Sequence, residues 1–133
     1  MGSEMCIRDR LKELSYIHAE GFAAGEMKHG PIALIEDDLP VICLLDEAPL
    51  SAKTISNLKE AEARGAVIIL LATRSIAEQV DFDSFKVVID DCDPLLAPII
   101  LAIPAQILAY QTAVEKGTDV DQPRNLAKSV TVE

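Results

Sequence analysis

The sequence predicts an α/β fold: a three-layer α/β/α sandwich built on a parallel sheet. Three short, near-continuous apolar runs carry this reading, Val41 to Leu45, Val67 to Leu71 and Val87 to Ile89. Helical stretches separate them, and strands that are apolar throughout belong to parallel sheets covered on both faces. Half of the 133 residues are hydrophobic, enough for a real core in one compact domain. Three strands are few for such a sheet, which points to a truncated domain whose remaining partners come from more chain.

The elements follow in order. Residues 1–10, MGSEMCIRDR, show no periodicity and mix charges with Cys6. MCIRDR reads as a translated sequencing-adapter or vector leader, so the fold is expected to begin at Leu11. From Leu11 to about Lys28 there is no proline, and Leu14, Ile17, His18 and Gly21 recur at helical spacing, which predicts a first helix. Ala19, Ala23, Ala24 and Gly25 make part of it thin enough for close packing. Gly30-Pro31 stops it, because proline disfavours helix in the residue before it. The first apolar run follows Pro40 and ends at Asp46-Glu47. Ser51 to Arg64 is amphipathic, with Ile55, Leu58 and Ala61 on one side and Gly65 as its stop. A short helix around Ser75 to Val80 joins the second and third runs. A helix over Leu95 to Glu115 covers one face, and from Gly117 onward turn formers and charges dominate, ending in a polar, strand-like stretch.

Composition excludes several function classes. The formal charge of -10, from 22 acidic and 12 basic residues, would repel a phosphate backbone, so no nucleic-acid partner is expected. Cys6, Cys43 and Cys92 have no metal-ligand spacing and no CxxC, so no metal is expected. Their odd count and the lack of a secretion signal point to the cytoplasm. The apolar stretch from Leu95 to Ala105 is interrupted by Pro98 and Pro104 and is far shorter than the roughly twenty residues a membrane span needs. It reads as a buried helix, with no membrane partner. No Gly-rich phosphate loop, nucleotide fingerprint, GxSxG or HExxH is present, and no cofactor is expected.

The candidate chemistry clusters at the two ends of the chain. Glu13 and Glu20 are seven apart and share a face of the expected helix. A carboxylate can shuttle a proton between adjacent carbons, although a helical Glu also serves as a solvated surface residue. His29, at a helix end, is placed for proton transfer near neutral pH or for a cation's interaction with the helix dipole. His18, mid-helix among apolar residues, reads as a packed histidine. In the tail, Lys128 is either a solvated charge or an amine that forms a Schiff base with a sugar.

Two stretches decide between these alternatives. LKELSYIHAEGFAAGEMKHGPIALIE and TDVDQPRNLAKSVTVE resemble the final sugar-isomerase (SIS) subdomain of the glucosamine-6-phosphate synthase family, the isomerizing glutamine–fructose-6-phosphate aminotransferases. The resemblance runs from Leu11 to Glu133, with the SIS subdomain over 11–117 and a catalytic tail over 118–133. The KHGP turn is shared widely among SIS domains, whereas the PRNLAKSVTVE ending is far more specific. The resemblance implies a flavodoxin- or Rossmann-like SIS fold in a homodimeric enzyme. That family makes glucosamine 6-phosphate and glutamate from fructose 6-phosphate and glutamine, with ammonia supplied by a glutaminase domain.

The resemblance also implies roles. Glu13 matches the glutamate that moves a proton between C1 and C2 of the aminated sugar. His29 matches a histidine that assists ring opening and reaches the neighbouring subunit's site. Lys128 matches the lysine that engages the open-chain carbonyl, with the Ala127 backbone beside the same sugar. Arg124 matches a tail residue that helps link the domains. Arg10 stands where the family usually has lysine, three residues before the glutamate. The family's Ser/Thr-rich phosphate loop, in its first SIS subdomain, and its cysteine-initiated glutaminase match no stretch of this sequence, and nothing around Cys6 resembles the latter. The chain alone is therefore expected to be inactive, with an apolar face left for the absent subdomain. The competing expectation is a non-catalytic SIS module that binds a phosphosugar.

Overall fold

The computed structural model describes residues 2–124, with side chains from Ile7 onward. Its elements are α1 (Gly2–Ser15), β1 (Pro40–Leu45), α2 (Ser51–Glu62), β2 (Val67–Thr73), α3 (Arg74–Ala77), β3 (Phe85–Ile89) and α4 (Ala97–Glu115). Two 3₁₀ helices, Ala24–His29 and Pro31–Leu34, lie between α1 and β1. The three expected strands form one parallel sheet in the order β1-β2-β3, with Leu44 paired to Leu71 and Thr73 to Ile89.

Because the strands advance in one direction, right-handed crossovers put both connecting helices on the same face. There Leu58 and Ala61 of α2 and Ile76 and Ala77 of α3 pack on Ile68, Leu70 and Ala72 of the central strand. The opposite face is left to chain before β1 and after β3. Ile7 and Leu11 of α1 meet Leu101, Ala105 and Ala109 of α4 over Leu71, so the expected three layers are present. β2 is buried on both sides because it alone has a strand at each edge.

Two expectations about the first helix are corrected. It does not run from Leu11 to Lys28: it spans Gly2–Ser15, and residues 16–23 are a loop. Gly2 to Arg10, set aside with Met1 as a leader, form the first part of this helix, and Ile7, one turn before Leu11, is buried with it. The surface that permits close packing is also elsewhere. Ala97, Leu101, Ala105, Ala109 and Ala113 recur every four residues along α4, all buried, and let α1 approach closely. The alanines at 19, 23 and 24 lie in loop and 3₁₀ turns.

α4 is buried on that stripe alone. By length and composition it could cross a membrane, yet its buried side packs on the sheet and α1. Its other side exposes Ile99, Ile103, Ile107, Tyr110 and Val114, again at helical spacing, with Ile99 66% accessible. The edge strand β3 exposes Phe85, Val87 and Val88 as well. The expectation of a wholly buried helix is thus corrected, while the expected apolar face is present. Cys43 and Cys92 are half-buried and form no disulfide, and no metal-binding cluster occurs, among the described residues.

The α2 stop is the tightest turn. Gly65 sits at φ +93, its carbonyl accepts the Asp38 amide at 2.9 Å, and a Cβ there would collide with the Asp37 side chain and lie 3.0 Å from Asp37 Cα. Gly65→Ala adds both the left-handed strain and this clash, so it should destabilise the chain by about 1–3 kcal/mol. Urea denaturation followed by circular dichroism measures it as a lower midpoint at unchanged slope.

Candidate active site

Glu13 is exposed in the last turn of α1, and the end of that helix is built from tertiary contacts. Ser15, fully buried, donates its hydroxyl to the Ala109 carbonyl at 3.3 Å. Thr118 Oγ1 donates to the Leu14 carbonyl at 2.7 Å, and the Ile17 amide folds back to Leu11 at 3.1 Å. These bonds occupy carbonyls that a helix terminus leaves open. Tyr16 then turns the chain at φ +53, a region that bulky residues rarely adopt.

Tyr16 is held there by the tail. Its hydroxyl accepts the Arg124 backbone amide at 2.8 Å, and the Arg124 guanidinium lies 4.2 Å from its ring centroid. The left-handed backbone costs about 1–3 kcal/mol. A hydrogen bond worth about 1 kcal/mol and a cation–π contact worth about 0.5–1 kcal/mol offset most of it. Tyr16, Lys116, Gly117, Thr118, Asp119, Gln122 and Arg124 line an open cleft of about 530 Å³ beside this knot. Of the expected tail residues, Arg124 is therefore brought beside the helix of Glu13. Ala127 and Lys128, and the strand-like ending, lie outside the described residues.

With the helix ended at Ser15, Glu20 and His18 fall in the following loop. Glu13 and Glu20 do not share a helical face. His18 is not packed: its side chain is 84% accessible, with Nε2 3.6 Å from Glu20 Oε1. The two expectations failed together, because both assumed the helix continued.

His29 closes the first 3₁₀ helix and is exposed. Met27 anchors that turn in the core, the buried Asn57 donates Nδ2 to the Ala24 carbonyl at 3.0 Å, and Lys28 Nζ meets Glu60 Oε1 at 2.6 Å. Gly30, at φ +148, swings the chain into the second 3₁₀ helix, which Pro31 starts. Asn57 and Tyr16 hold these two turns, and sequence reasoning missed both. An Asn on a helix face and a Tyr after a helix carry no signal of their own.

Of the three expected catalytic side chains, Glu13 and His29 are among the described residues, and they lie in opposite layers near one edge. Leu14 and Ser15, at the end of α1, meet Thr118, just past the end of α4, and Ala109 in its later half, so the last turn of α1 lies toward the carboxyl end of α4. α4 starts beyond the carboxyl end of β3 and returns over the sheet, which carries Glu13 toward the amino edge. α2 also ends at the amino edge, and Glu60 in its last turn brings the Lys28-His29 turn there. No hydrogen bond or ion pair joins Glu13 to His29 among the described residues.

The carboxyl edge, where open α/β sheets usually bind ligands, is occupied by its own groups. Ser75 donates its amide and hydroxyl to Asp91 Oδ1 at 3.0 and 2.9 Å, and Arg74 pairs with Asp90 at 2.7 Å. In the first turn of α4 the Leu96 and Ala97 amides go to the Asp93 carbonyl, Pro98 has none, and Ile99 bonds Leu96. Thr73 Oγ1 is buried there without a partner.

The SIS domain family matches residues 6–116 of the chain. The chain is 59% identical over 125 residues to glutamine–fructose-6-phosphate aminotransferase (isomerizing) of Zymomonas mobilis, covering 93% of this chain and 21% of that protein. A Sphingobium yanoikuyae protein of the same name is 54% identical over 125 residues, with 93% of this chain and 80% of that sequence covered. Among solved structures, the C-terminal domain of glucosamine-fructose-6-phosphate aminotransferase from Francisella tularensis superposes with a TM-score of 0.83 at 44% identity. That match covers 87% of this chain and 33% of the other. The chain thus spans about a fifth of the length of most of the relatives it matches.

One titration at the carboxyl edge is testable. The Ser75 amide, with its hydroxyl adding, holds the Asp91 carboxyl below its ordinary value of 3.8. A depressed carboxylate stabilises the fold fully above that ordinary value and loses this contribution as pH falls through the lowered one. Acid unfolding of Asp91→Ala should show lower stability at neutral pH and a smaller further loss below about pH 4 than the parent chain.

Proposed function

The chain belongs to the SIS domain family, and from that premise we propose that it is the sugar-isomerising part of an enzyme that makes glucosamine 6-phosphate and glutamate from fructose 6-phosphate and glutamine. The observation that supports this best is the knot at the end of α1. It ties the helix of Glu13 to the segment that leads into the Lys128 tail.

In this reading Lys128 attacks the ketone carbon of the open-chain sugar phosphate and forms a Schiff base with loss of water. Ammonia released from glutamine by a separate domain then displaces the amine, leaving an imine at C2. Glu13 takes the C1 proton and returns a proton at C2 while the C1 hydroxyl proton passes to the nitrogen, so the imine becomes an amine and C1 becomes the aldehyde. The exposed carboxylate at the helix end is free to face such a substrate. His29 serves ring opening, and its exposure in the layer opposite Glu13 suits service to the site of a neighbouring subunit. The sugar phosphate itself is held by another SIS subdomain. Residence in the cytoplasm and a homodimeric parent enzyme belong to the same proposal.

The apolar stripe of α4 and the exposed β3 edge are the surfaces left for the rest of that assembly. The purified chain should therefore self-associate, and Ile103→Lys with Ile107→Lys should reduce it. Sedimentation at high concentration tests this, and a monodisperse parent chain would count against the reading.

In the full-length enzyme Lys128→Ala should lower sugar-phosphate conversion by about three orders of magnitude or more while sparing glutamine hydrolysis. The 133-residue chain alone should make no glucosamine 6-phosphate. Wild-type synthesis by the variant would remove the Schiff-base role and favour a module that only binds phosphosugars.

A further inference from the structure

Tyr16 is a residue to which neither the sequence nor the proposed chemistry assigns a task, yet three features converge on it. It follows the last residue of α1 in a left-handed conformation that a tyrosine adopts only under outside constraint. Its hydroxyl takes the backbone amide of Arg124, 108 residues later, and its ring lies under the same residue's guanidinium. One turn of α1 ends in between: Glu13 is three residues before Tyr16, about 5 Å along the helix axis.

We propose that Tyr16 is a positioning residue for the sugar-isomerising site, clamping the tail at Arg124 to the helix end that carries Glu13. Lys128 follows Arg124 by four residues, so wherever the chain goes it stays within about 14 Å of the clamp. Without the clamp the previous point of attachment to α1 is Thr118. That is ten residues before Lys128, or about 35 Å. The clamp thus shortens the covalent tether between Lys128 and the helix of Glu13 from ten residues to four, which raises the effective concentration of the amine at the sugar. The inference rests on the proposed isomerase reading, since only that reading gives the lysine a partner near Glu13.

Tyr16→Phe tests it, because the ring and the fold are kept and only the hydroxyl is lost. In the 133-residue chain, amide hydrogen exchange at Arg124 should accelerate by about tenfold, one net hydrogen bond's worth, while Ile69 and Leu71 in the central strand keep their protection. In the full-length enzyme, kcat for sugar-phosphate conversion should fall by about three- to tenfold, with KM for fructose 6-phosphate and glutamine hydrolysis unchanged. Tyr16→Leu, which also removes the ring, should lose more kcat than Tyr16→Phe. Unchanged exchange at Arg124 overturns the clamp. Faster exchange with wild-type kcat, beside an inactive Lys128→Ala, overturns the positioning role and leaves the isomerase reading intact. An active Lys128→Ala removes the isomerase reading, and the positioning role with it.

Discussion

The contact between α1 and the alanine stripe of α4 organises the functional end of this molecule. Ala97, Leu101, Ala105, Ala109 and Ala113 place four methyl groups and one larger side chain along a single row, and the row is buried throughout. Small side chains let the two helix backbones come close enough for Ser15 Oγ to reach the Ala109 carbonyl directly. Once α1 lies along α4, its last turn is delivered to the segment that follows α4. Thr118 and Arg124 then close onto Leu14 and Tyr16. The active-site candidate is thus a product of helix packing more than of the sheet.

The sheet contributes a different constraint. An order of β1-β2-β3 sends both right-handed crossovers to one face and leaves the other without a cover of its own. α1 and α4 fill that role from the two ends of the chain. The consequence is a candidate site at the seam of the terminal helices, toward the amino edge, while at the carboxyl edge the Ser75, Leu96 and Ala97 amides bond within the domain and, among the described residues, Thr73 Oγ1 has no partner. The apolar faces that remain, on α4 and β3, lie away from the seam and stay exposed.

Much of the fold was legible. The runs at Val41, Val67 and Val87 became strands at nearly those bounds, because short apolar β-branched runs between helices have few alternatives, although only β2 is buried on both faces and β3 stays exposed at the edge. Ser51 and Gly65 bracketed α2 for local reasons of amphipathic spacing and a left-handed glycine. The first helix was not legible. Its spacing continues past Ser15, and nothing about a tyrosine announces a left-handed turn, so a local reading extends the helix by thirteen residues and misplaces His18, Glu20 and the alanines. The same reading set aside residues 2–10, whose only signal, Ile7 one turn before Leu11, acquires meaning when α4 is opposite it.

The sequence by itself determined the fold class, the strand cores and the family, and its two terminal stretches offered Glu13, His29, Arg124, Ala127 and Lys128 as candidates. Those are properties of residue type and order, and they survive any choice of partner. Only the tertiary structure decided where α1 stops, that Arg124 returns to Tyr16, and that Glu13 and His29 lie in different layers. Each of those depends on contacts across about 30 to 108 positions of chain, such as Asn57 with Ala24 and Arg124 with Tyr16. A long-range contact that offsets local strain leaves no mark in the local pattern, which is why the sequence names the chemistry and the packing places it.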